Sequence, residues 1–375
     1  MLLWILLGLA LLLAVLSLRG DDARARYVDA QLARRLPDEA CPPATVIVPV
    51  KGADEGLAQN LAALAAQDYP DFELLIAVET PADVPAEALP DGARLVVAGL
   101  ASAEAGKIHN LLAAVAAARP QSQIFAFADS DGEPGQGWLR ALAAPLAGDS
   151  VGASTGYRWH VPALGGVWPL LRSAWNAVIA GGFGPGNNAF VWGGAMAVRR
   201  ETFVAARVEE YWRNAVSDDF RLAEAVHRAG LTIAYAPGAL VPARDHVTAR
   251  EFFEWIARQM KITRAYRLRL WWLGLISHCL YCGAMVAAVV SHQWLVLAAQ
   301  LALGMVKGAR RAALARRCLT PRDHAWFARY GWVYTWSTPL VTWIWLYAFV
   351  ASAFSRRIVW RGRTYVLTTE TRARS

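Results

Sequence analysis

Residues 123–132 read QIFAFADSDG, and Glu133 follows directly. Five apolar residues run straight into Asp129 and Asp131, and Gly132 ends the run. A short apolar, aromatic-rich run closed by a turn signal reads as a buried strand. Two carboxylates one residue apart repel each other unless a positive partner lies against them. The stretch therefore predicts a strand that delivers paired acids to one edge of a sheet and a cation waiting there.

The neighbouring segments supply the rest of that sheet. ATVIVPV (44–50) is a β-branched run, FELLIAV (72–78) a second strand and RLVVAG (94–99) a third. Between them, GLAQNLAALAAQDYP (56–70) and AGKIHNLLAAVAAARP (105–120) carry apolar residues at helical spacing and stop at proline. Strand and helix alternate, the pattern of an α/β fold whose parallel sheet is covered on both faces. Ligands of such sheets bind beyond the carboxyl ends of the strands, where Glu79 and Asp129 fall.

The chain has 375 residues, 56% hydrophobic and 18% charged, an apolar excess concentrated at its two ends. Residues 1–18 hold no charge and approach the length that spans a hydrocarbon core. They lack a basic leader and a small-residue cleavage site, so an uncleaved anchor over 1–19 is expected. Five arginines from Arg19 to Arg35, in and just before the basic juxtamembrane linker 20–42, place it on the cytoplasmic side. Residues 43–250 form the globular domain and 251–270 a basic, aromatic helix lying in the membrane surface. Membrane helices are expected over 271–355 and a basic tail over 356–375, and nine of the seventeen tryptophans follow Leu270. The net charge of +8 sits beside apolar segments, so lipid headgroups of the bilayer, and no nucleic acid, are its expected partner. The chain thus reads as an integral protein of a bacterial inner membrane with a cytoplasmic globular part. Four cysteines, including Cys279 and Cys282 inside an apolar run, form no disulfide or metal pattern.

Asp129 and Asp131 beyond a buried strand can present oxygens to one hard divalent cation, Mg²⁺ or Mn²⁺, of the kind a nucleotide diphosphate requires. The same four residues, D-S-D-G, also suit an acidic surface turn. SDDF (217–220) has Ser and two acids at a helix start, which is good capping chemistry in its own right.

VIVPVKG, LAQNLAALAAQDYPDFELLIAVET, AGKIHNLL, FAFADSDG, FVWGGAMAVRRETF and SDDFRLAEAVHRAGLTIAYAP occur in an order and spacing that resemble the family 2/21-type inverting glycosyltransferases. GKIHNL, ADSDG, SDDF and the closing IVWRGRTYVL are most similar to the ceramide glucosyltransferase branch. The resemblance runs from about Thr45 to Leu367. It implies a GT-A (nucleotide-diphosphosugar transferase) domain and a membrane-bound enzyme that moves a hexose, expected from UDP-glucose, to the hydroxyl of a ceramide-like lipid at the cytoplasmic face. It implies that Glu79 lies near the nucleotide base, Lys107 at the nucleotide or its phosphates, and Asp129 and Asp131 at ribose and metal. Asp219 takes the place of the catalytic base, with Asp218 beside it to raise its pKa.

The family's (Q/R)xxRW element is here RQMKI, with Arg258 and Lys261 on one helix face as donor-site cations. Lysine lacks the planar fork of arginine and Ile262 cannot stack, so a plain basic surface helix is the alternative. Arg158, Trp159, Gly193 and Gly194 are the expected acceptor and sugar contacts. The apolar segment 165–184, interrupted by Arg172 and Asn176, is expected to lie at the lipid interface. Two other functions share these motifs: a processive polysaccharide synthase, and a catalytically degenerate transferase-like membrane scaffold.

Overall fold

The structure, a computed structural model, describes residues 2–53, 55–101, 104–186 and 190–367. Two compact units emerge. One comprises residues 28–159, 184–245 and 357–375, the other 1–27, 160–183 and 246–356.

The first unit is built on a seven-stranded sheet. Its strands are β1 (Ala44–Val50), β2 (Phe72–Val78), β3 (Arg94–Val97), β4 (Ile124–Ala128), β5 (Val151–His160), β6 (Ala195–Arg199) and β7 (Thr232–Ala243). They lie in the order β3-β2-β1-β4-β6-β5-β7. The four strands expected from sequence pair in parallel, β1 with β2 from Ala44 opposite Phe72 to Val50 opposite Val78. β6 then runs antiparallel to both β4 and β5, so the sheet is mixed rather than parallel throughout.

Alternation along the strands explains why this sheet is buried on both sides. Val46, Val48, Leu74, Ile76, Ile124 and Ala126 enter one core with Leu61 and Trp138. Ile47, Leu75, Ala77, Phe125 and Phe127 enter the other with Ile108 and Trp212. Successive side chains point to opposite faces, so each strand feeds both cores. The covering helices are α2 (Leu57–Ala65), α3 (Gly106–Ala117), α4 (Trp138–Ala143), α6 (Arg200–Ala205), α7 (Val208–Trp212) and α8 (Asp218–Arg228). The strand order reverses direction between β1 and β4, and their pairing ends at Ile47 opposite Phe127. Beyond that point the two chains are free to part, which opens a crevice at the switch point where ligands bind in such sheets.

The second unit is helical: α1 (Leu2–Ala33) as far as Tyr27, α5 (Val167–Ala180), α9 (Ala249–Tyr266), α10 (Leu268–Val290), α11 (Trp294–Cys318), α12 (Pro321–Tyr330), α13 (Trp332–Trp336) and α14 (Thr338–Ala353). α1 does not stop at the basic segment but continues to Ala33. Trp4–Ala33 and Leu268–Val290 are long and apolar enough to cross a membrane. Their apolar side chains are largely uncovered, Leu273 and Ile276 being 65% and 60% exposed, a patchwork that water disfavours. α10 and α11 form the expected hairpin, joined by reciprocal bonds from Tyr281 Oη to Gln300 O (2.7 Å) and from Gln300 Nε2 to Tyr281 O (2.8 Å). The last apolar run is broken into α13 and α14, with Pro339 in the first turn of α14 where its missing N–H costs nothing.

α5 differs from expectation. It is a buried centre of the helical unit, with Arg172 and Asn176 only 5% and 3% exposed. Trp175 stacks on Trp345 at 4.0 Å, and the Ser173 hydroxyl bonds to His160 O and to Tyr334. The polar residues that interrupt this apolar helix are buried among its neighbours.

Candidate active site

The crevice is lined from four elements. β4 ends in Asp129-Ser130-Asp131, and the turn is pinned on both sides. Asn60 Nδ2 on α2 donates to Ser130 O (3.0 Å), while Glu133 N donates to Pro242 O (3.1 Å). From the start of α3, Lys107 Nζ reaches Asp129 Oδ1 at 2.9 Å and Asp218 Oδ2 at 3.1 Å. β5 sends in Arg158, whose Nη2 lies 3.0 Å from Asp129 Oδ2 and 2.5 Å from Asp131 Oδ1. The Arg158 guanidinium also sits 5.0 Å from the ring centre of Trp192. The positive partners of the acidic pair are thus protein cations.

α8 begins with Ser217 as its cap, accepting from Phe220 N (3.3 Å), and with both acids in its first turn. Trp212 Nε1 donates to Asp218 O at 2.8 Å and fixes that turn. Asp219 Oδ1 accepts from Phe220 N (2.7 Å) and from the Ser217 hydroxyl. Capping and site-building are here one arrangement. Gly193 and Gly194 supply room for it. A Cβ on Gly193 would come within 2.5 Å of Asp218 Oδ2, and one on Gly194 within 2.5 Å of Asp129 Oδ2.

Burial and charge set the protonation of these groups. Burial alone would raise Asp129, but the Lys107 ammonium and the Arg158 guanidinium outweigh it and hold the carboxyl below its ordinary value. Lys107 stays charged for the reciprocal reason: burial opposes its charge, and Asp129 and Asp218 more than restore it. Asp219 moves the other way. Burial pushes it up to about 6, and the Asp218 carboxylate adds to the rise. The neighbour effect read from the sequence is present, second to burial.

A second cluster lies beyond β2. Glu79 is buried, and Lys51, just past β1, reaches its Oε2 at 2.7 Å and Asp83 Oδ1 at 3.0 Å. Arg363 also pairs with Glu79. Arg363 comes from a hairpin in the segment expected to be a basic tail. Arg357–Trp360 (β8) pairs antiparallel with Arg363–Val366 (β9) across Arg361 and Gly362. Both turn residues have positive φ, 49° and 77°, which is the left-handed two-residue loop that matches strand twist. Tyr365 Oη accepts from Gly106 N at 3.5 Å, and the Arg361 charge contributes to holding Asp129 low. The remainder of that segment, 368–375, lies outside the described residues. Lys51, Arg361 and Arg363 were not singled out by sequence reasoning. The signal was there: alternating IVW and RTYV around an R-G pair spells a hairpin.

Trp159, one residue past Arg158, leaves β5 on the opposite face and is 2% exposed, packed instead of presented. Arg258 and Lys261 lie on α9, in the helical unit.

Comparison with protein families matches residues 2–373 to Glycosyl transferase family 21. The chain belongs to that family. It is a glycosyltransferase with a GT-A fold that uses a nucleotide-sugar donor, of the ceramide glucosyltransferase kind. No curated protein sequence matches it significantly. Among solved structures, it is similar to a mannosyltransferase from Pyrobaculum calidifontis in complex with GDP-mannose and Mn²⁺, at 18% identity over 93% of this chain and 97% of that one, TM-score 0.47. It is also similar to glucosyl-3-phosphoglycerate synthase from Mycobacterium tuberculosis with Mn²⁺, UDP and glucosyl-3-phosphoglycerate, at 20% identity, 60% and 76% coverage and TM-score 0.38.

Among the described residues of this glycosyltransferase, no group of three or more His, Cys, Asp or Glu is arranged around one ion. The donor site nevertheless fits a divalent cation. Ions of the Mg²⁺ class take one or two carboxylates and draw their other ligands from substrate phosphates and water. Asp129 and Asp131 could supply that share, lying one residue apart with Lys107 and Arg158 against them.

The raised pKa of Asp219 has a stability consequence with a definite sign. An acid whose folded-state pKa exceeds its unfolded value penalises folding once pH rises through the interval between them. Replacing Asp219→Asn removes the penalty. The variant is expected to melt at or above the wild-type temperature at pH 7.5, with the difference vanishing as pH falls from about 6 toward about 4. Thermal melts across that range check it.

Proposed function

We propose that this enzyme transfers a hexose from UDP-glucose to the hydroxyl of a ceramide-like lipid, with inversion, at the cytoplasmic face of a bacterial inner membrane. The observation that carries the reading is the shared cation. Lys107 touches both the donor-side acid Asp129 and the base-side acid Asp218, so the two acidic clusters face one crevice. The lipid half of the proposal rests on the exposed apolar faces of α1 and α10.

In this mechanism Asp219 accepts the proton of the acceptor hydroxyl as its oxygen attacks the anomeric carbon. A base must be within hydrogen-bond reach of that proton and needs a pKa near the working pH; about 6 meets the second condition. Glu79, held by Lys51 and Arg363, presents a carboxylate for the nucleotide base. Asp129 and Asp131 would hold Mg²⁺ or Mn²⁺, which when bound offsets negative charge on the departing diphosphate. Arg361 approaches from the hairpin tip as a further cation for that diphosphate. It takes the part that RQMKI, with lysine and isoleucine in place of arginine and tryptophan, fills only weakly.

The test is purified enzyme given several UDP-sugars and a panel of hydroxylated lipids, with products read by mass spectrometry. Lipid-linked hexose from UDP-glucose is expected, and kcat should rise with pH through about 6 and level off above it. Asp219→Asn should cut kcat by about 10²- to 10⁴-fold. Wild-type turnover by that variant, or polymer formed from UDP-sugar alone, contradicts the assignment.

The hairpin makes a separate prediction. Arg361→Ala should raise KM for the UDP-sugar by about tenfold to a hundredfold, the value of a charge-assisted hydrogen bond. Inhibition by uridine, which lacks phosphate, should not change. Equal weakening of uridine and UDP would mean that the hairpin acts on the pocket as a whole.

A further inference from the structure

The helical unit contains a cavity of about 440 Å³ that the transfer chemistry does not use. All of its lining comes from this unit: α1, α5, α10, α11, α13 and α14, and the short Ser337 link between the last two. Its volume falls in the range of about 300–1,000 Å³ typical of sites for organic ligands. The lining combines apolar, polar and charged residues. Its apolar part includes Ala10 and Leu13 from α1 and Leu280, Leu303 and Val341 from α10, α11 and α14, with Tyr281 and Thr342 among the uncharged polar residues. The apolar part continues into the packing of Leu7 and Ala10 on Ala284 and Ala288. Ser17 of α1 also lines it, as do Lys307 and Arg311, one helical turn apart on α11.

The charged part of the lining carries more positive charge than its surroundings balance. Asp21 is the acid of that region, and Arg24 already takes its Oδ1 at 2.7 Å while also donating to Phe183 O. Lys307 and Arg311 have no ion-pair partner within 4 Å among the described residues. The Nε of Arg311 is buried without a hydrogen-bond partner. It lies where Gly181 leaves space, since a Cβ there would come 3.0 Å from that nitrogen. Cations set among apolar helices are costly and mark a bound partner of opposite charge. A free inorganic anion would satisfy the charge but leave the apolar part empty, and a neutral lipid would do the reverse.

We propose that this cavity binds one anionic lipid, its acidic head against Lys307 and Arg311 and its alkyl chain against Leu13, Leu280 and Leu303. The inference rests on the membrane reading of this unit but not on the identity of sugar or acceptor. The bound lipid is a component of the helical unit, held by charge at one end and apolar contact along the rest.

The experiment uses the full chain in nanodiscs of phosphatidylcholine and phosphatidylglycerol at equal fractions, followed by native mass spectrometry of the lipid retained. Wild type should keep phosphatidylglycerol over phosphatidylcholine by at least about tenfold, the scale of two basic residues acting on an anionic headgroup. Lys307→Gln with Arg311→Gln should abolish the preference, whereas Arg311→Lys should keep most of it. Ala14→Phe, which fills the cavity and leaves both cations in place, should also lose the lipid. No preference in wild type overturns the proposal. So does a preference that survives Ala14→Phe, which would mean that the cations attract lipid from outside the cavity. Displacement by inorganic phosphate alone would make the site one for a free anion and equally overturn it. UDP-sugar turnover in the same samples fails or persists independently of this readout, which separates the lipid site from the proposed function.

Discussion

One buried ammonium, that of Lys107, lies between two carboxylates that reach the crevice from opposite directions. Asp129 arrives on the end of β4 and Asp218 in the first turn of α8, and Lys107 stands within 3.1 Å of both. Without it, four acids would converge on one partly dry space, and mutual repulsion would force apart the strand end and the helix start. A buried pair contributes little net stability, but removing one partner leaves a charge stranded. The ion pair therefore works mainly as a specification. It makes the end of β4 and the start of α8 a single object, with Asp219 one residue on from the paired Asp218. Burial then raises its pKa into the range a base requires.

The frame around that cation was legible in the sequence where the signal is local. β1, β2 and β4 are short β-branched or aromatic runs, and helices ending in proline separate them, so the parallel half of the sheet follows from periodicity alone. The acids at the ends of β2 and β4 follow from the rule that such sheets bind at their carboxyl edges. The antiparallel half was not legible. β5 and β6 are buried on nearly every residue, so their composition resembles that of the parallel strands, and only the long-range pairing of Ala128 with Ala195 fixes their direction. α5 was misread for a related reason. Arg172 and Asn176 look like the polar side of an interfacial helix, and nothing local reveals that neighbouring helices enclose them.

The site itself was half legible. Its residue types could be picked out, but the partners could not. The sequence pointed to a divalent ion opposite Asp129 and Asp131, whereas Arg158, from a strand 27 residues onward, grips both. Sequence separation hides such a contact. The same holds for Arg363 and Glu79, 284 residues apart. The hairpin that carries Arg363 folds back onto the first unit although the helices of the second intervene in the chain. Its local pattern announces a tight turn, and only the fold announces where that turn goes. A single guanidinium nitrogen, Nη2 of Arg158, lies against both carboxylates and supplies positive charge between them.

The most direct measurement is the energetic coupling between Lys107 and Asp218, from unfolding of the wild type, Lys107→Met, Asp218→Asn and the double variant. Lys107→Met alone is expected to destabilise by about 3–5 kcal/mol because it strands buried carboxylates. In the Asp218→Asn background the loss should be smaller, with a coupling of about 0.5–3 kcal/mol. Effects that simply add would mean that Lys107 does not join the two acidic clusters, and the common crevice on which donor and base depend would be contradicted.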